Sequence, residues 1–183
     1  MVDINTVSSE FQTKEWRQEN ICKTDGQKDS SSEKYQRRLV VEITHSECPK
    51  SNVRINKRTL EFKDKTQPMT EDDGFDWTED FDGKQEINNT ILMYNFKFVA
   101  ESGGGQTRTL RDETYSFIEI QLKYLKKNQE TNIKFINLLD GAESYKRMKH
   151  FNYLINLEEY KEYKSKCLVM DTHTFKSWYL TNN

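Results

Sequence analysis

Residues 90–141 read TILMYNFKFVAESGGGQTRTLRDETYSFIEIQLKYLKKNQETNIKFINLLDG, and this stretch decides the fold. Residues 90–100 and 132–139 are apolar runs of strand length, and residues 107–127 between them predict a helix. Residues three and four apart form one apolar stripe on that helix: Leu110, Phe117, Ile118, Gln121, Leu122 and Leu125. A strand, a helix and a strand in this order form a crossover unit, so we expect the two strands to pair in parallel.

The segments on either side of this unit predict shorter elements. They are strands at 37–44, 52–62 and 167–170, a helix at 142–155 and a terminal helical turn at 174–180. Residues 8–19 predict a short helix anchored by Phe11 and Trp16, and the polar stretch 23–34 predicts a linker. We therefore expect an α/β (α+β) fold with a central mixed β-sheet flanked by helices, in which residues 1–36 form a polar arm and residues 37–183 a single domain.

Composition sets the class of protein. The chain has 183 residues, of which 34% are hydrophobic and 32% charged, so ten Phe, nine Tyr and three Trp must supply much of the core. The net charge of −2 does not by itself indicate a nucleic-acid-binding protein. Three cysteines without metal-ligand spacing predict reduced thiols, and no stretch approaches the ~20 apolar residues of a membrane span. With no secretory signal pattern, we expect an intracellular (cytoplasmic) protein with no membrane partner.

The strand at 90–100 carries two polar residues among apolar ones. Because side chains alternate along a strand, Asn95 and Lys97 share a face with Met93 and Val99. Burying an amide and an ammonium without partners is costly, so this face predicts polar neighbours. The alternative is a half-exposed strand face from which Lys97 reaches water.

An acidic and aromatic loop, TEDDGFDWTEDFDG, precedes the strand at residues 70–83. A hairpin at about 83–90 would bring Asp80 or Asp82 beside Asn95 and Lys97. Carboxylate oxygens together with an amide carbonyl suit a hard cation such as Mg²⁺. We therefore predict Asp80, Asp82 and Asn95 as metal ligands, and Asp82, Asn95 and Lys97 as catalytic residues that activate a water against a phosphodiester.

The pattern DFDG (80–83) followed by NFK (95–97) resembles the PD-(D/E)XK nuclease superfamily, and within it the type II restriction endonucleases. The glycine-rich stretch 103–118 is similar to the segment that follows the catalytic strand in several of these enzymes, and FINLLDG (135–141) to their next core strand. The likeness covers residues 70–141. It implies a single nuclease-like domain, Mg²⁺ as cofactor, double-stranded DNA as partner, and a homodimer that acts on two-fold symmetric sites.

The chain departs from that family at one position. Asn95 stands where the family usually has Glu or Asp, which removes a negative charge from the implied metal site. The alternatives are weaker metal binding, loss of activity, or compensation by Glu101 or Glu113. A catalytically inactive DNA- or protein-binding module that keeps the fold is therefore the second hypothesis.

The glycine turn after the strand predicts a contact with phosphate. Glycines permit a close approach of backbone to a ligand, and the following helix start carries donors and two arginines. We predict a DNA-binding set of Gly103, Gly104, Gly105, Thr107, Arg108 and Arg111. A binding protein for a small phosphorylated ligand at this turn is the third hypothesis.

Overall fold

A computed structural model describes residues 6–21, 32–64 and 73–182. The helices in chain order are α1 (Lys14–Asn20), α2 (Ser32–Thr44), α3 (Asp73–Asp76), α4 (Gly104–Arg108), α5 (Tyr115–Lys127), α6 (Ala142–Ile155) and α7 (Thr172–Asn182). The strands are β1 (Val53–Ile55), β2 (Phe62–Asp64), β3 (Gly83–Ile87), β4 (Thr90–Phe98), β5 (Ile133–Asp140) and β6 (Cys167–Met170). Ser9–Phe11 and Lys161–Tyr163 form 3₁₀ turns, and a π-helical turn at Thr109–Thr114 joins α4 to α5. Most of the linker predicted at 23–34 lies outside the described residues.

The central sheet has the order β3-β4-β5-β6 and is mixed, as predicted. β3 and β4 form an antiparallel hairpin, whereas β4, β5 and β6 run parallel. The predicted parallel pairing of the strands at 90–100 and 132–139 is thus confirmed. β1 and β2 form a separate two-stranded antiparallel sheet.

Helices cover both faces of the central sheet. One core lies between the sheet, α5 and α6, and includes Met93, Phe117, Leu122, Phe135, Phe151 and Leu154. The other lies between the sheet, α2 and α7, and includes Val40, Ile43, Leu92, Tyr94, Phe96 and Phe175. Successive residues of β4 therefore alternate between the two cores. None of the described helices combines the length and the apolar character that crossing a bilayer requires.

The segment at 37–44 is helical, so its prediction as a strand was wrong. It belongs to α2, whose buried residues are Tyr35, Gln36, Leu39, Val40, Ile43 and Thr44. These positions recur at three-to-four spacing and place one face of the helix on the sheet. Packing of that face outweighs the strand preference of the β-branched residues in the segment. The expected boundary between residues 36 and 37 falls inside this helix.

The N-terminal segment at 6–21 packs on the carboxyl end of the parallel strands. The backbone N–H of Ser9 donates to Asp171 just after β6, and Gln12 accepts from the N–H of Gly141 at 2.8 Å and of Ala142 at 3.0 Å. Gln12 therefore satisfies N–H groups at the start of α6, which otherwise lack helical partners.

The anchors of this segment differ in part from the expected ones. Trp16 stacks on Phe98 at the end of β4, with ring centroids 6.4 Å apart, as its predicted anchoring role requires. Phe11 is 62% exposed, however, so its predicted anchoring role was wrong. Ile21, which is buried, contacts the core instead.

Candidate functional site

The β3–β4 hairpin places Asp82 beside the second half of β4. The backbone N–H of Asp82 donates to the carbonyl of Tyr94 at 2.8 Å, and the N–H of Phe96 donates to the Asp82 carboxylate at 2.6 Å. Asp82 is thus hydrogen-bonded to both residues that flank Asn95: to Tyr94 through its backbone N–H and to Phe96 through its carboxylate.

Burial controls the charge of Asp82. It raises the pKa of this carboxyl to about 6, although the Phe96 N–H and the Lys97 ammonium both favour the ionised form. Glu33 opposes ionisation and Arg37 favours it. Asp82 is thus a partly dehydrated carboxylate that would gain from a further positive charge.

Arg37 of α2 fixes the backbone around this carboxylate. Its guanidinium donates to the carbonyl oxygens of Asp82 and Cys48, the latter at 2.7 Å, and pairs with Glu33 at 2.8 Å. The planar fork of an arginine suits several acceptors at once. The helix that was predicted as a strand therefore supplies a positioning residue for the site.

Lys97 is paired with Glu79, which was not among the predicted ligands. The Lys97 ammonium lies 2.9 Å from the Glu79 carboxylate, and the side chain of Glu79 is more than half exposed. Asp80 instead lies 2.8 Å from Arg54 of β1. Lys97 thus contacts Glu79 and favours the ionised form of Asp82, whereas the predicted ligand Asp80 is in a separate ion pair.

Asn95 points into the core between the sheet and α5. It is 1% exposed and donates through Nδ2 to Oδ1 of Asn137 on β5 at 3.0 Å. Gln121 of α5 donates to the same oxygen at 3.1 Å and accepts from Asn137 at 2.8 Å. These three amides link two strands and a helix. The metal-ligand and catalytic roles of Asn95 stay predictions that this packing disfavours.

The two acids considered as replacements for the charge missing at Asn95 lie in different places. Glu101 pairs with Lys14 at 3.3 Å. Glu113 lines a groove of about 600 Å³ together with Glu79, Thr78 and Phe117. Glu113 thus lines the same groove as Glu79, the partner of Lys97, whereas Glu101 does not line it.

The donor set fits Mg²⁺ better than a metal that needs a protein cage. The described residues contain no group of three or more His, Cys, Asp or Glu side chains that could hold an ion. Mg²⁺ is commonly bound through one or two carboxylates, with water and substrate phosphate completing its shell. Asp82, which accepts from the N–H of Phe96, and Glu79, which pairs with Lys97, are the carboxylates available for such a role.

The glycine turn after β4 is open to solvent. A Cβ atom built on Gly103 or Gly105 would meet no atom within 4 Å, and Gly103 has a φ of +147°. Thr107 accepts from the N–H of Gly103 at 3.4 Å. Backbone at this turn is thus accessible to a large anionic partner, as the predicted phosphate contact requires.

Arg108 and Arg111 extend from the helical segment that follows the turn. About three quarters of each side chain is exposed, and both pair with Asp112, at 3.7 and 2.7 Å respectively. Exposed ion pairs of this kind contribute roughly 0–1 kcal/mol to folding stability. Both arginines can therefore exchange Asp112 for a phosphate at little cost to the fold.

Comparison of the chain with protein-family models, with curated proteins and with solved structures finds no match.

Sequence reasoning missed Glu79, Arg37 and the partners of Asn95. Glu79 was visible as one of several acids in the loop, but loop geometry selects which acid meets Lys97. Gln121 was visible as a polar residue in an apolar helical stripe, and Asn137 as a polar residue in an apolar strand. Polar residues at core positions predict a shared network, because each requires a buried partner.

Proposed function

We propose that this protein is a Mg²⁺-dependent DNA endonuclease of restriction type, which hydrolyses phosphodiester bonds. The observation that carries the proposal is the convergence of Asp82 and Lys97 at the carboxyl end of β4. The Asp82 carboxylate accepts from Phe96, and Lys97 follows one residue later on the same strand. An acid and a lysine meeting across a hairpin is the arrangement that the resemblance to the PD-(D/E)XK superfamily implies.

In this proposal Asp82 and Glu79 hold the cation. Bound Mg²⁺ supplies Lewis-acid polarisation of a phosphate oxygen and of a water molecule. Asp82 contributes a carboxylate whose dehydration makes the pairing with a cation more favourable than in water. Glu79 is exposed enough to turn from Lys97 toward an incoming ion.

Lys97 acts on the reacting groups. Once Glu79 turns away, the ammonium of Lys97 can donate to the attacking water or to the phosphate oxygens, where negative charge develops. The new P–O bond forms from the water oxygen, one bridging P–O bond breaks, and the leaving oxygen takes up a proton. Arg37 holds the Asp82 backbone while this happens.

The exposed turn and arginines bind the DNA backbone. Gly103, Gly105, Thr107, Arg108 and Arg111 lie on one continuous stretch directly after the strand that carries Lys97. Contacts of backbone N–H and arginine to phosphate position a duplex without reading its sequence. A homodimer would present this stretch twice, as two-fold symmetric sites require.

Cleavage of supercoiled plasmid with and without Mg²⁺ tests the proposal. Wild-type protein should nick or linearise the plasmid only with the metal. Lys97→Ala should abolish cleavage and retain DNA binding, whereas Lys84→Ala, a matched lysine on the neighbouring strand β3, should cleave normally. Full cleavage by Lys97→Ala would refute the assignment of this lysine.

The second candidate is a catalytically inactive DNA-binding module with the same fold. The observation that favours it is the pairing of Lys97 with Glu79, together with the commitment of the Asn95 amide to Asn137. Such a module would bind duplex DNA through Arg108 and Arg111 and would cleave it with neither Mg²⁺ nor Mn²⁺. The plasmid assay combined with a DNA-binding assay separates the two candidates.

A further inference from the structure

A second cavity lies on the other side of the helical segment that carries Arg108 and Arg111. Its volume is about 630 Å³, and it lies between the π-helical turn with the start of α5 and the facing helix α6. It shares no lining residue with the groove beside Glu79. A volume of this size suits a small organic ligand, since such sites commonly measure about 300–1,000 Å³.

One part of the cavity wall carries basic side chains. Arg111, Arg147 and His150 line it, and none of its described lining residues is a carboxylate. Arg147 is anchored through Nε to Glu143, a 2% exposed residue, at 2.9 Å. Among the residues that the structure describes, neither Nη group of Arg147 has a hydrogen-bond partner. Arg147 is thus held by one edge of its guanidinium, while the other edge remains available to an anion.

The other part of the wall is aromatic. Tyr115 and Phe151 lie against each other with ring centroids 6.2 Å apart, and Tyr153 also lines the cavity. Tyr153 is 68% exposed, so its ring is accessible to a ligand at the mouth of the cavity. A flat aromatic ligand entering the cavity would bury it.

The backbone at this wall is irregular. Arg111 belongs to the π-helical turn Thr109–Thr114, which interrupts the otherwise continuous helix from α4 to α5. Single π-helical turns occur frequently at functional sites, because the extra residue redirects side chains. Thr114 in this turn is fully buried, and its hydroxyl has no partner among the described residues. The buried hydroxyl of Thr114 therefore lowers the stability of the fold. Arg111, in the same turn, lines the cavity.

We propose that this cavity binds a nucleoside phosphate. The base packs on Tyr153 and Tyr115, and the phosphate is held by Arg111, Arg147 and His150. A base stacks favourably on an aromatic side chain, and arginine forms paired hydrogen bonds with phosphate. The nucleotide is either one unit of a DNA strand or a free nucleotide. The binding does not require cleavage, but Thr107 and Arg111 belong both to this cavity and to the proposed DNA-binding surface. Tyr153 and Arg147 belong to the cavity and not to that surface.

Calorimetric titration of the full chain with deoxyadenosine monophosphate tests the inference. Deoxyadenosine and inorganic phosphate serve as the two half-ligands. We expect the nucleotide to bind at least about tenfold more tightly than either half, since each wall contributes. Equal affinity for nucleotide and inorganic phosphate, or no detectable nucleotide binding, would overturn it.

Two variants at exposed residues, each with a matched control, show where the nucleotide binds. Arg111→Gln and Tyr153→Ala should each weaken nucleotide binding about tenfold. Arg58→Gln and Tyr145→Ala should leave it unchanged, because Arg58 is an equally exposed arginine in a single ion pair and Tyr145 lies on α6 outside the cavity. Circular dichroism checks that all four fold alike. Equal affinity in all four would also overturn the inference.

A short single-stranded oligonucleotide identifies the source of the nucleotide. Tighter binding of the oligonucleotide, with the same loss in Arg111→Gln and Tyr153→Ala, supports a unit of a DNA strand. Tighter binding of the monophosphate supports a free nucleotide. Tyr153 has no role in cleavage or in the proposed contacts to the DNA backbone, so a loss of nucleotide binding in Tyr153→Ala is independent of whether the protein cleaves DNA.

Discussion

Asn95 on β4 donates its side-chain amide to Asn137 on β5 at 3.0 Å, and the two residues are direct partners in the parallel register. Gln121 closes the set from α5 by donating to Asn137 and accepting from it. A buried polar network with satisfied partners makes one arrangement of the core preferable to others. Here the network of three amides fixes the position of β4 at Asn95, two residues before Lys97.

Replacing Asn95 with the acid typical of the PD-(D/E)XK superfamily should destabilise the protein. In Asn95→Asp an oxygen replaces the Nδ2 donor and faces Oδ1 of Asn137 inside the core. Loss of the hydrogen bond and burial of a charge should lower the free energy of unfolding by about 3 kcal/mol or more at pH 8. Urea denaturation measures this, and Asn152→Asp on the exposed face of α6 is the matched control.

The same variant bears on catalysis. We expect Asn95→Asp to show no gain in Mg²⁺-dependent cleavage. A variant that is as stable as wild type and cleaves faster would show that position 95 does face the metal, and would contradict the structural role given to this amide.

Asp82 should make the protein less stable as pH rises. Its pKa is about 6 in the folded state and 3.8 in the unfolded chain, so the folded state binds more protons between these values. Stability from this group is complete below pH ~4 and is lost as pH rises through 6. Asp82→Asn should therefore match wild type at pH 4 and exceed it by up to about 3 kcal/mol at pH 8.

Mg²⁺ should reduce the difference in stability between wild type and Asp82→Asn at pH 8. A cation bound at Asp82 favours the ionised carboxylate, so the metal should raise the melting temperature of wild type at pH 8 and leave that of Asp82→Asn unchanged. Asp80→Asn is the matched control, and it should keep the metal response because Asp80 pairs with Arg54. A Mg²⁺ response that survives in Asp82→Asn would place the metal elsewhere.

Removing Arg108 and Arg111 should weaken DNA binding in a salt-dependent way. Each lost phosphate contact should reduce the slope of log affinity against log salt concentration by about 0.9. Fluorescence anisotropy with a labelled duplex over a range of salt concentrations gives the slope. Arg58→Gln with Lys123→Gln removes two exposed charges on other surfaces and should leave the slope unchanged. An unaltered slope in the Arg108 and Arg111 variant would exclude both residues from the interface.

Substitutions at Gly105 should affect the stability of the fold and the binding of DNA in opposite directions. Its Cβ position is open and its φ is not in the left-handed region, so Gly105→Ala in α4 should stabilise the fold by about 0.5–1 kcal/mol. If the backbone here approaches phosphate closely, the bulkier Gly105→Val should weaken DNA binding without loss of stability. Thermal melts and anisotropy measure the two effects, and undiminished affinity in Gly105→Val would argue against close approach.

Gly141 should tolerate no side chain. Its φ is +97°, and a Cβ atom there would lie 2.3 Å from the carbonyl oxygen of Val99. We expect Gly141→Ala to lose about 3 kcal/mol or more of stability through clash and backbone strain. Chemical denaturation measures the loss. Ala142→Gly, at the neighbouring first position of α6, should cost much less.

The strands and helices from residue 90 onward could be predicted from sequence because their signals are local and agree with one another. β4 alternates between two apolar faces, and α5 shows its stripe of buried residues as expected. The crossover from β4 to β5 then follows from chain order. Helix α6 and strand β6 were predicted with the bounds that the structure gives them.

The elements before residue 64 were harder to predict. The apolar residues of α2 fit both a short alternation and a helical stripe, and only the surface offered by β4 and α7 decides between them. Residues 6–21 carry few apolar side chains. Trp16 could be predicted as an anchor, but the attachment through the polar residues Gln12 and Ser9 leaves no pattern in the sequence.

The site was predictable only as far as the hairpin determines it. Asp82 lies next to β3, so its approach to β4 follows from strand pairing. Asp80 and Glu79 lie in the loop before it, where the partner of each acid depends on Arg54 and on the local path of the chain. Loop conformation is set by contacts distant in sequence, which a single sequence does not reveal.

Gln12 and Ser9 bond to Gly141, Ala142 and Asp171, more than a hundred residues later in the chain. During translation these early residues leave the ribosome long before their partners exist. The carboxyl end of the parallel strands therefore acquires this cover only after residue 171 has been synthesised.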